Sequence, residues 1–329
     1  MTTRDARLGG IKEAQRLHRA LGTKARFAEG ATRIDVFSAA VSLNVTLMFR
    51  PLKGLLGAFL NEPAPGILVS TQRPLHVQRF TAAHELGHFR LQHKPSLDEE
   101  VGGWRGGHVS AQEAAADAFA SEFLLPKWIL AQHAARQGWH SAALRDPRHV
   151  YQLALRTGAS YEAACWALAA HGALTAAVAA SLTSVPLKEL KSSELHGVPM
   201  ADPWADVWAV SERDHNLLVE GGPNDLFVFR LVEHSGGGYL WDKAQLADIG
   251  LEILADERMP SNDNEIGAPI GRVIVARAAT PGGYRVHIDE RRPWLEATPN
   301  SQLAFELELN GKEFGLPRSY RKTLLSSTT

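Results

Sequence analysis

The five residues His84-Glu85-Leu86-Gly87-His88 set two imidazoles at positions i and i+4, with a carboxylate beside the first. On a helix, residues four apart share a face about one turn apart, so both rings can reach one cation. A glutamate in this position can take the proton of a metal-bound water. The chemistry that this spacing allows is a zinc site with one open position, used to hydrolyse a peptide bond. The competing reading is a histidine pair without function in a chain that has 14 histidines. Context favours the metal site. Leu75, Phe80, Ala83, Leu86 and Leu91 give the stretch from Pro74 to Gln92 an apolar stripe, Pro74 suits a first helical turn and Pro95 fits a stop.

Two histidines do not close a zinc site, and a third protein ligand is needed. Lys94 stands where the metzincin pattern places its third histidine, and His93 is one place off. Glu113 is the better candidate. It opens the run Glu113-Ala114-Ala115-Ala116-Asp117-Ala118-Phe119-Ala120, which has high helix propensity. Ser110, three residues earlier, also makes Glu113 the partner in a capping box, which would turn its carboxylate back to the helix start. Local sequence leaves both roles open. Asp117, one turn on, is a candidate alternative ligand or a group that orients a ligand.

Three motifs in order carry a resemblance. Gln78-Arg79-Phe80-Thr81-Ala82-Ala83 leads into the histidine motif; Glu113-x-x-Ala116-Asp117-x-Phe119-Ala120 follows, and then Leu124-Leu125-Pro126. Over roughly residues 10–180 the chain resembles the ImmA/IrrE family of metallopeptidases. The resemblance implies Zn2+ as cofactor, Glu113 as third ligand and Glu85 as catalytic base. It makes Gly66-Ile67-Leu68-Val69-Ser70 the edge strand before the catalytic helix. It also implies a protein substrate, a helix-turn-helix transcriptional repressor whose cleavage turns on stress, DNA-damage, prophage or phage-defence genes. Such an enzyme must idle until signalled, and single-stranded DNA is one candidate activator.

Composition fits a cytoplasmic enzyme. The 329 residues predict about two domains. An apolar content of 45% supports real cores, and a formal net charge of −1 argues against wholesale nucleic-acid or membrane binding. No apolar run is long enough to span a bilayer, and Met1 to Arg19 has no signal-peptide pattern. The single Cys165 excludes an intramolecular disulfide. It reads as a small buried hydrophobe; the competing role is a thiolate that silences the open zinc position.

The elements around the motif follow from the same patterns. Met1 to Arg33 reads as helical and Val36 to Leu43 as a short helix. Thr46–Phe49, Gly57–Leu60 and Ile67–Ser70 read as short strands. The loop Gly102-Gly103-Trp104-Arg105-Gly106-Gly107 is either a wall over the cleft or a plain connector. His108 at its end is either a donor to the transition state or an exposed loop residue. Residues 146–182 have helix-turn-helix proportions, yet Tyr161 to Ala170 holds no Lys or Arg to meet phosphates. A packing role in the peptidase domain is expected instead.

Beyond Thr183 the texture changes. Residues 186–203 read as a linker, and about seven β-runs from Trp204 onward predict a sandwich. Glu233-His234-Ser235-Gly236-Gly237-Gly238-Tyr239-Leu240-Trp241, Gly267-Ala268-Pro269-Ile270-Gly271 and Arg291-Arg292-Pro293-Trp294 resemble, in order, the chagasin family of cysteine-protease inhibitors. That family is immunoglobulin-like. Its threonine-bearing inhibitory tip is replaced here by Ser235-Gly236-Gly237, so a recognition or sensing module is expected, with Gly236, Gly237, Arg292 and Trp294 as candidate loop residues. Tyr239, Trp241 and Trp294 read as core and loop-anchor aromatics. Arg285, Arg291, Arg292 and Trp294 are the residues that make nucleic-acid contact a candidate.

The expected fold is α+β. A mainly helical zincin-type metallopeptidase domain with a small β-sheet occupies residues 1–185, the linker 186–203 follows, and the all-β sandwich occupies 204–329. Two rival functions remain open: a non-catalytic regulatory or DNA-binding protein with a structural zinc, and a peptidase fused to a working protease inhibitor. Oligomeric state is not readable from the sequence.

Overall fold

The computed structural model describes residues 2–28, 31–62, 64–93, 97–99, 110–260, 267–295 and 298–309. The loop Gly102–Gly107 and His108 lie outside the described residues. By contacts the chain divides into two units, Met1–Ala134 with Arg156–Ala180, and Ala135–Leu155 with Ser181–Gly311. Among the described residues, no helix is long and apolar enough to cross a membrane.

The first unit begins with helices α1 (Thr3–Ala20), α2 (Thr23–Ala28) and α3 (Val36–Ser42), then strands β1 (Thr46–Arg50), β2 (Leu55–Leu60) and β3 (Gly66–Ser70). Helix α4 (Leu75–Arg90) carries the histidine motif, strand β4 (Leu97–Glu99) follows, and α5 (Ala111–Leu124) carries Glu113. Local signals set these elements. Thr2 and Asp5 close a capping box at the start of α1, and Asp35 Oδ1 accepts from Ser38 N–H to start α3. The sheet order is β1-β3-β2-β4, with β1 parallel to β3 and the other pairs antiparallel. Strand β3 is therefore interior, bonded on both sides, and not the edge strand expected from the sequence. Its apolar centre Ile67-Leu68-Val69 fits that place.

Helix α4 is wrapped more completely than its stripe predicts, because every residue from Thr81 to His88 is buried. The sheet covers one side and α5 the other. Helix α5 is in turn pressed between α1 and α4, and two glycines permit it. A Cβ on Gly87 would lie 3.0 Å from the Phe119 ring and 3.3 Å from Ala116 Cα. One on Gly10 of α1 would collide with the Ala115 carbonyl. The alanine run is thus a packing solution as well as a helix former.

Helices α6 (Lys127–Gln137), α7 (Pro147–Thr157), α8 (Tyr161–Ala170), α9 (Ala176–Thr183) and α10 (Leu187–Glu194) follow, and the division between units falls inside α6, α7 and α9. Residues 146–182 thus contribute to both units. Tyr151 and Gln152 of α7 serve the second unit, whereas α8 packs within the first. The stretch 186–203 likewise contains α10, whose Leu190, Lys191 and Glu194 are buried. Lys191 Nζ donates to the Ala205 carbonyl at 2.8 Å, so this segment is docked and not a bare linker.

The second unit holds β5 (Val207–Val210), β6 (Leu218–Gly221), β7 (Leu226–Glu233), β8 (Leu240–Trp241), the short helix α11 (Ala244–Asp248), β9 (Leu251–Met259), β10 (Ile270–Ala278), β11 (Gly282–Arg291) and β12 (Ser301–Leu309). Two four-stranded sheets, β5-β7-β10-β9 and β6-β12-β11-β8, make the sandwich. Trp208, Phe227, Phe229, Trp241, Ile274 and Phe305 are among the side chains of its core. Strand β6 is the one that pattern reading passed over. It has four residues and no alternation, and its existence depends on parallel pairing with the distant β12. Edge strand β5 is covered by α7: Gln152 Nε2 donates to Val207 O at 2.7 Å, and Ala209 N–H donates to Gln152 Oε1 at 2.9 Å.

Candidate metal centre

Helix α4 brings His84 and His88 onto one face, and α5 crosses it so that Glu113 points at the pair. His84 Nε2 and His88 Nε2 lie 3.0 Å apart, and Glu113 Oε2 is 3.1 Å from the first and 3.4 Å from the second. Both histidines are buried, while the Glu113 side chain keeps 32% exposure, which leaves an approach from solvent. Among the described residues, these three form the one group of His, Cys, Asp and Glu side chains that could hold a metal ion.

The capping alternative for Glu113 is settled by its two halves. Its backbone N–H donates to Ser110 Oγ at 3.2 Å, so Ser110 is the helix cap. The carboxylate does not turn back to the helix start; it sits with the histidines. The His84 and His88 rings beside it favour its charged form and hold it below the usual carboxylate range.

The atoms fit a tetrahedral cation. Ligand atoms about 2.0–2.1 Å from a zinc ion, at tetrahedral angles, lie roughly 3.3–3.4 Å from one another. The three observed separations are close to that edge. Electron counting agrees. His84 Nδ1–H donates to Asp117 Oδ1 at 2.9 Å, which leaves a lone pair on Nε2 of the neutral ring. That lone pair faces a carboxylate oxygen, an arrangement that a cation relieves. Asp117, one turn after Glu113 on α5, thus meets His84 at the far side of its ring, while Glu113 faces the two Nε2 atoms.

Glu85 is fully buried on the sheet side of α4. A Cβ built on Gly57 would meet Thr81 Cγ2 and the Leu68 carbonyl and lie 3.3 Å from Glu85 Oε1. Gly57 on β2 thus makes room for the carboxylate. Pattern reading missed this role, although a glycine inside a strand is a known sign of close approach. His93 was also missed. Its Nδ1 is 3.1 Å from His88 Nδ1, and burial, followed by the neighbouring His88, lowers its pKa below the usual imidazole value. With Phe59, Asn61, Phe89, Arg90 and Gln92, it lines a cavity of about 450 Å³.

The remaining candidates stand apart from this centre. Cys165 is buried in α8, and its thiol is pushed up to about 11 by burial, which leaves it protonated and outside the metal group. In the second unit the three loops do meet. Arg292 Nε donates to the Gly237 carbonyl at 2.9 Å, its guanidinium lies 4.5 Å from the Tyr239 ring centroid, and Gly236 lies against the Gly267 backbone. Trp241 is core, as expected. Trp294 is not: 71% of it is exposed, with its ring edge over Gly238. Arg291 is paired with Asp289 at 2.8 Å, so Arg291 and Arg292 are both engaged within the loops.

Two family models match the two parts of the chain. Residues 40–169 match the family model described as IrrE N-terminal-like domain, Peptidase_M78, and residues 222–309 match the chagasin family peptidase inhibitor model, I42. Among solved structures, the chain is similar to the cysteine protease inhibitor EhICP2 from Entamoeba histolytica, at 17% identity, 33% of this chain, 100% of that chain and a TM-score of 0.29. It is also similar to Amebosin, at 14% identity, 32% of this chain, 98% of that chain and a TM-score of 0.26. No curated protein matches.

Proposed function

We propose that the chain is a zinc-dependent endopeptidase with His84, His88 and Glu113 as ligands and Glu85 as general base. The observation that carries this reading is the convergence of three ligand atoms at 3.0–3.4 Å beside a buried glutamate on the same helix. A bound zinc would supply Lewis acidity to a water and to the scissile carbonyl. Glu85 accepts the proton of the attacking water and returns it to the leaving amine nitrogen. Its burial against Gly57 and Thr81 holds the carboxylate in one place for both transfers. Asp117 fixes the His84 ring through Nδ1.

The proposed substrate class rests on the resemblance of the sequence motifs to the ImmA/IrrE family, with which the match over residues 40–169 agrees. We assign a helix-turn-helix transcriptional repressor as the protein substrate, cleaved in the cytoplasm to derepress stress, DNA-damage, prophage or phage-defence genes. The sandwich of residues 207–309 is the regulatory element, and single-stranded DNA is the candidate signal. A direct test incubates the wild-type chain and Glu85→Gln with the candidate repressor, with and without single-stranded DNA, and measures zinc content in parallel. The expected result is one zinc per chain in both proteins and a loss of cleavage on the order of 10²–10⁴ in the variant. Cleavage by Glu85→Gln at the wild-type rate would refute the role of Glu85, and a wild-type chain that takes up no zinc would refute the centre itself.

A further inference from the structure

The two histidine ligands are held from behind by different elements. His84 is held by Asp117 from α5. His88 is held from its own helix, by the turn that ends α4. Leu91 caps the helix, Gln92 adopts the left-handed conformation at φ 56, and the chain folds back. Gln92 N–H donates to Phe89 O at 3.2 Å, and His93 N–H donates to His88 O at 3.0 Å. This pair of bonds is the Schellman ending, in which the second residue past the cap lies over the third residue from the helix end. That contact is usually apolar. Here it joins two imidazoles, with ring centroids 5.0 Å apart, planes at 71° and Nδ1 atoms 3.1 Å apart.

We propose that His93 is a positioning residue for the metal centre: its Nδ1 accepts the Nδ1–H of His88 and keeps the Nε2 lone pair of His88 aimed between His84 and Glu113. The proposal rests on the metal reading given above. His93 is not a fourth ligand, because it meets His88 at the ring nitrogen opposite the one that faces His84 and Glu113. The backbone supports a dedicated role. The left-handed position past a helix end is ordinarily glycine, and a glutamine held there carries strain that the turn must repay.

The test is metal binding by the full chain, read apart from activity. Wild type, His93→Phe and His93→Asn are stripped of metal, titrated with Zn2+ against a chromophoric chelator, and loaded with Co2+ for visible absorption. Phenylalanine keeps the ring and removes the acceptor; asparagine restores an acceptor near the place of Nδ1. The expected result is a 10–100-fold loss of zinc affinity in His93→Phe, recovery to within about threefold in His93→Asn, and unchanged intensity of the cobalt bands. Melting of the metal-free proteins checks that both variants fold. Wild-type affinity in His93→Phe would overturn the proposal, as would equal losses in the two folded variants. Altered cobalt intensity in His93→Phe would make His93 a ligand and overturn it too. Failure of the wild-type chain to bind zinc would overturn the underlying metal reading instead.

Discussion

The candidate metal centre of the first unit and the Glu233–Arg272–Asp256 cluster of the second are both largely buried and rich in charge, yet they are built on opposite plans. In the second unit each acceptor meets a donor. Arg272 Nη1 donates to Glu233 Oε2 at 2.5 Å, its Nε to Asp256 Oδ1 at 2.9 Å and its Nη2 to Asp256 Oδ2 at 3.0 Å. Arg258 and Lys243 complete the two carboxylates at 2.7 Å and 2.6 Å. In the first unit, two imidazole nitrogens and a carboxylate oxygen face each other, and the contacts with Asp117 and His93 are made at the far side of each ring. Complementary pairs hold a fold together. Convergent lone pairs call for a cation. The difference separates architecture from chemistry without reference to fold.

The comparison breaks most visibly at Arg272. Replacing it with methionine leaves the buried Glu233 with Arg258 and the Trp241 N–H, and the part-buried Asp256 with Lys243 alone. Stability of the second unit should fall by about 3 kcal/mol, measured by urea unfolding with tryptophan fluorescence, while zinc affinity stays at the wild-type value. A variant as stable as wild type would show that the cluster is not structural. A variant that lost zinc would erase the division between the two clusters.

Acid sharpens the same contrast. Hydrogen bonds from Arg272, and after it Lys243, lower Asp256 from 3.8 to about 2. A carboxylate with a depressed folded pKa adds stability above its unfolded pKa and loses it as pH falls through the folded one. The window is therefore pH 4 down to pH 2, and the loss is about 2 kcal/mol. Urea midpoints taken across that window should drop in wild type and drop less in Arg272→Met. Parallel curves would mean that Asp256 does not depend on Arg272.

Much of the centre was legible because its geometry is local. His84, Glu85 and His88 lie within two turns of one helix, so spacing alone places them on it. Glu113 was ambiguous because a serine three residues before a glutamate reads as a capping box, and only the tertiary crossing of α4 and α5 shows where the carboxylate goes. Strand β3 was misplaced because strand order is a non-local property, set by which neighbours pair and not by the strand's own residues. The same holds for β6, which pairs with a strand more than eighty residues away. The contacts of α7 were not legible because Tyr151 and Gln152 look like ordinary helix-surface residues until the edge of β5 is present to receive them. Trp294 shows the converse: a large aromatic beside glycines suggested an anchor, and the loop leaves it in solvent.

The smallest expected effect concerns the turn that links His93 to His88. A left-handed conformation costs an L-residue roughly 1–2 kcal/mol, and glycine escapes that cost while losing more backbone entropy on folding. Gln92→Gly should therefore raise stability by less than about 1 kcal/mol. Because the two backbone bonds of the turn do not involve the Gln92 side chain, His93 should keep its place and zinc affinity should match wild type. The pair Gln92→Gly and His93→Phe then separates the strain of the turn from the use the turn is put to. If Gln92→Gly weakened zinc as much as His93→Phe, the position of the imidazole would depend on the glutamine side chain itself, and the His88 support would have to be extended to the residue that lines the cavity beside it.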